Sequence, residues 1–86
     1  MTTKIIISRF ELIDNPPTGK VVGFTIKNLD NEFSDYTETI MSIAECVDKT
    51  DNEICQLAYL KIKLQIENII NKLNTRSTIL GSEFVP

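Results

Sequence analysis

The stretch TDNEICQLAYLKIKLQIENIINKLN (residues 50–74) decides the fold, because its apolar residues repeat at the spacing of one long α-helix. Thr50 and Glu53 match a capping box, in which Thr50 accepts from the Glu53 amide and Glu53 reaches back. The periodic run lasts about 24 residues, or about 35 Å of helix. One face carries a broad apolar stripe that should cover a sheet: Ile54, Cys55, Ala58, Tyr59, Ile62, Ile66, Ile69, Ile70 and Leu73.

Three leucines of the same helix lie outside this stripe. Leu57, Leu60 and Leu64 fall within about 60° of one another on the opposite side of the helix, and we call them the leucine ridge. A helix that covers one small sheet needs only one apolar stripe. The ridge therefore predicts a contact with another protein chain, since exposed apolar patches mark interaction sites. The alternatives are that the C-terminal residues fold back over the ridge, or that single exposed leucines carry no function.

Upstream of the helix, the sequence predicts three strands joined by two short turns. The first strand covers residues 4–13, and the turn at residues 14–19 contains two prolines that must end it. The second strand covers residues 20–29, and the third covers residues 33–41. Two short connections in a row predict an antiparallel meander. The expected fold class is α+β: a three-stranded antiparallel meander packed against one long C-terminal helix (β-β-β-α), with a short apolar C-terminal tail.

Alternation along the strands predicts which residues face the helix. On the first strand, one face carries Ile6, Phe10 and Leu12, and the other carries Ile5, Ile7 and Ile13. Because both faces are partly apolar, the second face is also a candidate for burial. The residues that we expect to be buried together are Phe10, Leu12, Val22, Phe24, Ile26, Ile62, Ile66 and Ile69.

The length of 86 residues predicts a single domain. It divides into the meander at residues 1–41, the helix at residues 50–74 and the tail at residues 75–86. Residues 42–49 fit either a loop or one short helical turn. A domain this small tends to need disulfides, a metal or oligomerisation to reach a useful stability.

The composition argues against catalysis, because the chain has no histidine, the side chain that most often moves protons near neutral pH. A net charge of −3 disfavours nonspecific binding to nucleic acid or to an anionic membrane. No run approaches the roughly 20 apolar residues of a membrane span, and the apolar run near the N-terminus is too short for a signal peptide. We expect that the protein is not an enzyme and that it binds no cofactor and no small-molecule substrate. We expect it to be located in the cytoplasm or in a virion.

Motifs for metals and phosphates are incomplete. Cys46 and Cys55, without histidine, cannot complete a zinc site within one chain, and Cys55 is expected to be a small core residue. Residues 30–35 lack the glycine and the distal glutamate of a calcium loop. Residues 18–20 end like a phosphate loop but are followed by valine rather than Ser or Thr. The remaining carboxylates near the second turn are interpreted as solvated: Asp30, Glu32, Asp35 and Glu38.

A weak basic flank lies beside the leucine ridge. Lys61, Lys72 and Arg76 fall within about 60° of one another on the helix, which would allow contact with phosphate. Modules that bind nucleic acid normally show denser basic patches with interleaved aromatic residues. We therefore interpret the flank as a solvated side of the helix.

The expectation for function is a small non-catalytic structural or interaction protein, a subunit of a homo-oligomer or of a larger assembly. The expected protein-interaction residues are Leu57, Leu60, Leu64, Ile79, Leu80, Phe84 and Val85. Isoleucine, asparagine and lysine are abundant and have AT-rich codons, which narrows the expectation to a capsid-associated accessory protein of a phage particle. The alternative is a small regulatory or nucleic-acid-associated factor that uses the basic flank.

Overall fold

The computed structural model describes residues 2–79 and 83–86, with side chains at residues 2–75 and 83–86. The described elements are three strands, β1 (Thr3–Ile13), β2 (Gly19–Asn28) and β3 (Ser34–Ser42), and three helices, α1 (Ile43–Cys46), α2 (Asp51–Lys61) and α3 (Lys63–Ile79). The strands form one antiparallel sheet in the order β1-β2-β3. The predicted α+β arrangement is confirmed, and each strand begins and ends within one residue of its predicted range.

Both helix starts in the second half of the chain are capping boxes. At α2, the Glu53 amide donates to Thr50 Oγ1 (3.2 Å), and the Thr50 amide donates to Glu53 Oε1 (3.0 Å), as predicted. At α1, Ser42 and Glu45 exchange the same pair of hydrogen bonds. Residues 42–49 therefore contain one short helix, which resolves the ambiguity left by their sequence.

The predicted single helix differs from α2 and α3 in two respects. It is interrupted at Ile62, whose amide is shared between the carbonyl oxygens of Ala58 and Tyr59, both at 3.2 Å. Helical backbone also continues to Ile79, beyond the predicted end at residue 74. Thr75 fits this longer helix, because its hydroxyl donates to the carbonyl of Asn71 (3.0 Å), a bond typical of Thr within helices.

The core forms between the helices and one face of the sheet. Every member of the predicted helical stripe is buried or half-buried, which confirms its periodicity. On the sheet side, the core contains Val22, Phe24, Ile26 and Met41. The rings of Phe24 and Tyr59 meet edge to face, with centroids 6.4 Å apart. Phe10 and Ile69 pack against this core from its margin and are only partly buried.

A β-bulge on β1 overturns part of the predicted core. Ile7 pairs with Phe24 and Arg9 pairs with Gly23, so Ser8 is an extra residue in the ladder. Since directly paired residues share a face of the sheet, Ile5 and Ile7 lie on the helix side with Phe10 and Leu12, and Ile6 does not. The prediction that grouped Ile6 with Phe10 is wrong, because strict alternation cannot detect an inserted residue.

Leu12 is also wrongly predicted as a core residue, since it is 60% exposed. It does point to the helix side, because it pairs with Lys20 of β2. The helices, however, pack mainly over β2 and β3 and leave this side of β1 largely uncovered. The burial of a β1 residue therefore depends on how far the helices reach sideways, which alternation along the strand does not show.

A fully buried amide fixes the end of the helical layer to the sheet. Asn28 Oδ1 accepts from the amides of Asp30 (2.9 Å) and Asn31 (3.3 Å), which holds the turn between β2 and β3. Asn28 Nδ2 donates to Asn74 Oδ1 of α3 (3.1 Å). One side chain thus shapes the turn and sets the position of α3 along the strands.

The molecule is long and narrow for its mass. Its principal extents are 55 × 24 × 18 Å, and its radius of gyration is 16.1 Å. A compact domain of this length would have a radius of about 12 Å. The accessible surface of 5938 Å² also exceeds the roughly 5,200 Å² typical of a monomer of this mass. The chain therefore exposes about 700 Å² more surface than a compact fold would.

The corrected core makes a prediction about stability. Replacing Phe24 or Ile66 by Ala should lower the free energy of unfolding by about 2–5 kcal/mol, because both side chains are buried and would leave cavities. Leu12→Ala should lower it by less than about 1 kcal/mol, since Leu12 is largely exposed. Urea denaturation followed by circular dichroism measures all three. Equal losses in Leu12→Ala and Phe24→Ala would show that Leu12 is covered, either by the helices or by another chain.

Candidate protein-interaction surface

The leucine ridge lies on the outer side of α2 and α3, away from the sheet. The capping box of α2 and the buried stripe of the two helices fix their rotation about the helix axis. The side opposite the stripe must therefore point to solvent. Leu57 is 36% exposed, Leu60 63% and Leu64 70%. The three leucines therefore present a row of apolar side chains at the surface, as their spacing predicts.

A groove borders this ridge between α1 and α2, with a volume of about 530 Å³. Its lining consists of Met41, Ala44, Glu45, Lys49, Leu57, Leu60 and Lys61. Ile43 and Val47 are also exposed on and next to α1. The sequence did not indicate this groove, because residues 42–49 carry no periodicity that would place them beside the ridge.

The C-terminal tail does not cover the ridge with its described side chains. Phe84 and Val85 are both strongly exposed. Ile79 belongs to α3 by its backbone, but its side chain lies outside the described residues, as does Leu80 entirely. Of the four tail residues expected at the interface, the two with described side chains are thus available to solvent rather than packed on Leu57, Leu60 or Leu64.

The basic flank makes contacts within the chain. Lys61 Nζ donates to the carbonyl of Ile40 (3.0 Å) and forms an ion pair with Glu45 (3.3 Å). Lys72 Nζ forms an ion pair with Asp35 at 2.6 Å. The side chain of Arg76 lies outside the described residues. Both described lysines therefore fasten the helices to β3 and α1, which reduces the positive charge available to a phosphate backbone.

The other candidate groups do not converge into a site. Asp30 accepts from the Thr2 amide, Asp35 pairs with Lys72, and Glu38 pairs with Arg9. Among residues 2–79 and 83–86, no group of three or more potential metal ligands lies together. Within the same residues, no helix is both long and apolar enough to cross a membrane.

The two cysteines are free thiols. Cys46 is half-buried, and Cys55 is buried in the core, as expected for a small apolar residue. Burial raises the pKa of the Cys55 thiol, because the charged thiolate is poorly solvated there, and the carboxylate of Asp51 adds to this effect. A raised pKa keeps the thiol protonated and makes it a poor nucleophile.

The two capping glutamates have lowered pKa values. The pKa of Glu53 lies below its ordinary value of 4.5, because the backbone and then the hydroxyl of Thr50 donate to its carboxylate. The pKa of Glu45 is lowered first by the backbone and hydroxyl of Ser42 and then by Lys61. Glu45 therefore links the cap of α1 to the helix that carries the ridge.

Comparisons of this chain with protein-family models, with curated proteins and with solved structures find no match.

The lowered pKa of Glu53 predicts how stability depends on pH. The Glu53 carboxylate stabilises the fold above pH 4.5, where it is charged in both the folded and the unfolded state. This stabilisation is lost as the pH falls through the lower pKa of Glu53 in the folded state. Glu53→Gln keeps the capping hydrogen bonds but removes this titration. Its stability should therefore fall less than that of the native chain between pH 5 and pH 3, as measured by urea denaturation.

The matched control is Glu67→Gln, which removes one carboxylate from an exposed position of α3 outside any cap. It should follow the native chain more closely. If both variants show the same dependence on pH, the Glu53 carboxylate does not act through its cap.

Proposed function

We propose that this chain is a non-catalytic interaction protein, a subunit of a homo-oligomer or of a larger assembly that another protein chain contacts through the leucine ridge. The observation that carries the proposal is the exposure of Leu57, Leu60 and Leu64 in a row, uncovered by Phe84 and Val85. A partner helix or apolar side chain would remove these leucines from water.

The free energy gained by burying the ridge in an interface is large for so small a protein. Full burial of a leucine side chain contributes roughly 1.5–3 kcal/mol relative to exposure. Three aligned leucines at i, i+3 and i+7 also match the spacing at which helices dock into apolar grooves. The groove between α1 and α2 adds a cavity of about 530 Å³ beside Leu57 and Leu60 into which a partner side chain would fit.

The narrower proposal is a capsid-associated accessory protein of a phage particle. It is supported by the small size and by the abundance of residues with AT-rich codons. A nucleic-acid-associated factor is less well supported, because Lys61 and Lys72 are already paired with Glu45 and Asp35.

The test is a double substitution, Leu60→Glu with Leu64→Glu. Both residues are exposed and Glu is a good helix former, so the variant should stay folded, with a free energy of unfolding within about 0.5 kcal/mol of the native value. Assembly through the ridge should be lost and the mass of the assembly should fall, because two carboxylates on the ridge would have to be desolvated in the interface. Size-exclusion chromatography with light scattering measures the mass of the native and variant assemblies.

Lys63→Glu is the matched control, since it changes the net charge by the same two units from an exposed position on the adjacent flank. It should assemble like the native chain. If the ridge variant folds and its assembly has the same mass as that of the native chain, the ridge is not an interface. If it unfolds as a monomer, the ridge belongs to a core that the C-terminal residues complete.

A further inference from the structure

β1 is an edge strand whose helix-facing side is apolar and largely uncovered. In the described part of the chain, β2 is its only paired neighbour. Ile7 is 50% exposed, and Ile5 and Leu12 are exposed as well. Between β1 and α2 lies an open groove of about 280 Å³, lined in part by Ile5, Ile7 and Tyr59. An exposed edge strand of 11 residues is a template for pairing with another strand unless something covers it, and β1 carries Lys4, Arg9 and Glu11 on the side away from the helices.

The backbone groups that reach this open edge can be identified from the ladder. The Leu29 amide donates to the Thr2 carbonyl (3.0 Å), so the backbone of residue 2 points towards β2. Because adjacent residues of an antiparallel strand point in opposite directions, the next residues to point outwards are Thr3, Ile5 and Ile7. Beyond the bulge, where two residues oppose one, the alternation resumes with Phe10 and Leu12.

These five outward residues are arranged symmetrically about Ile7. We propose that β1 pairs antiparallel with β1 of a second copy of this chain, with Ile7 opposite Ile7 on the two-fold axis. In this register, Ile5 lies opposite Phe10 of the second copy, and Thr3 lies opposite Leu12. The outward-pointing backbone groups of these five residues then have partners, the bulge at Ser8 interrupts the ladder on either side of the axis, and the result is one six-stranded antiparallel sheet.

The same register is complementary in charge. It places Lys4 opposite Glu11 of the second copy, which also pairs with Arg9 of its own chain (3.3 Å), on the side of the sheet away from the helices, and the two-fold axis repeats the pair. Opposite charges on directly opposed residues stabilise a strand pair, and like charges destabilise it. The other edge offers no such match, since β3 contains Asp35 and Glu38 and no basic residue.

The position of the helices and the area of exposed surface also fit a second copy. Because the helices lie mainly over β2 and β3, they leave the helix side of β1 open to a neighbouring β1. On that side Ile5, Ile7 and Leu12 are 39%, 50% and 60% exposed, so a neighbouring β1 would cover apolar side chains. The isoleucines of both copies would form one continuous apolar stripe between the two helical layers.

Disulfide cross-linking tests the register. In a background with Cys46→Ser and Cys55→Ala, Ile7→Cys should form a disulfide-linked dimer on mild oxidation, because the two Cα atoms would be about 5.5 Å apart. Ile5→Cys is the control, since its two copies would lie more than about 13 Å apart. Failure of Ile7→Cys to cross-link, or equal cross-linking of Ile5→Cys, overturns the register.

A charge exchange tests the pairing without thiols. Lys4→Glu alone should weaken the dimer about tenfold in sedimentation equilibrium, because it opposes like charges twice. Adding Glu11→Lys should restore most of the affinity, and Lys63→Glu, with the same charge change elsewhere, should leave it intact. A native chain that sediments only as a 9.8 kDa monomer, or a double variant without recovery, overturns the proposal.

The test of the β1 dimer can be separated from the test of the leucine ridge. The variant with Leu60→Glu and Leu64→Glu does not touch β1, so it should still form the cross-linked Ile7→Cys dimer. Loss of this dimer in the ridge variant, with the fold intact, would show that the ridge rather than β1 holds the two copies together.

Discussion

A mismatch in width between the helical layer and the sheet determines most features of this molecule. A helix with its side chains is about 10 Å wide, and three strands spaced at about 4.8 Å span roughly 14 Å. One helical layer therefore cannot cover all three strands. Here it lies mainly over β2 and β3, where Val22, Phe24 and Ile26 complete the core. The apolar side of β1 remains uncovered as a direct consequence.

Polar contacts join the helices to β3 and help to set their lateral position on the sheet. Lys72 pairs with Asp35, Gln65 accepts from Thr37 (3.3 Å), and Lys61 donates to the Ile40 carbonyl, so three successive contacts join the helices to β3. All three are exposed and each adds little free energy in water. Together with the hydrogen bond from the buried Asn28 to Asn74, they favour the lateral position over β2 and β3. Lys61 and Lys72, which suggested a nucleic-acid surface, make two of these contacts.

The sequence predicted the elements well because their signals are local. The helical stripe and the cap at Thr50 depend only on spacing within one helix. The misplaced residues have non-local causes: the bulge at Ser8 reverses the faces of β1, and the exposure of Leu12 depends on the width of another layer. The interruption at Ile62 has no proline or glycine to announce it. For the candidate site, spacing predicted that Leu60 is exposed, but spacing cannot show what covers it.

The two proposed surfaces have a geometric relation that bears on assembly. Two strands paired about a two-fold axis perpendicular to the sheet keep both helical layers on the same face of the six-stranded sheet. The leucine ridge points away from the sheet, so the dimer would present two ridges in the same direction. A partner with two matching sites would then bind both ridges at once, and the second contact would form at a high effective concentration. An isologous contact at β1 closes on itself, so growth beyond the dimer would need a second surface, and the two ridges would supply one.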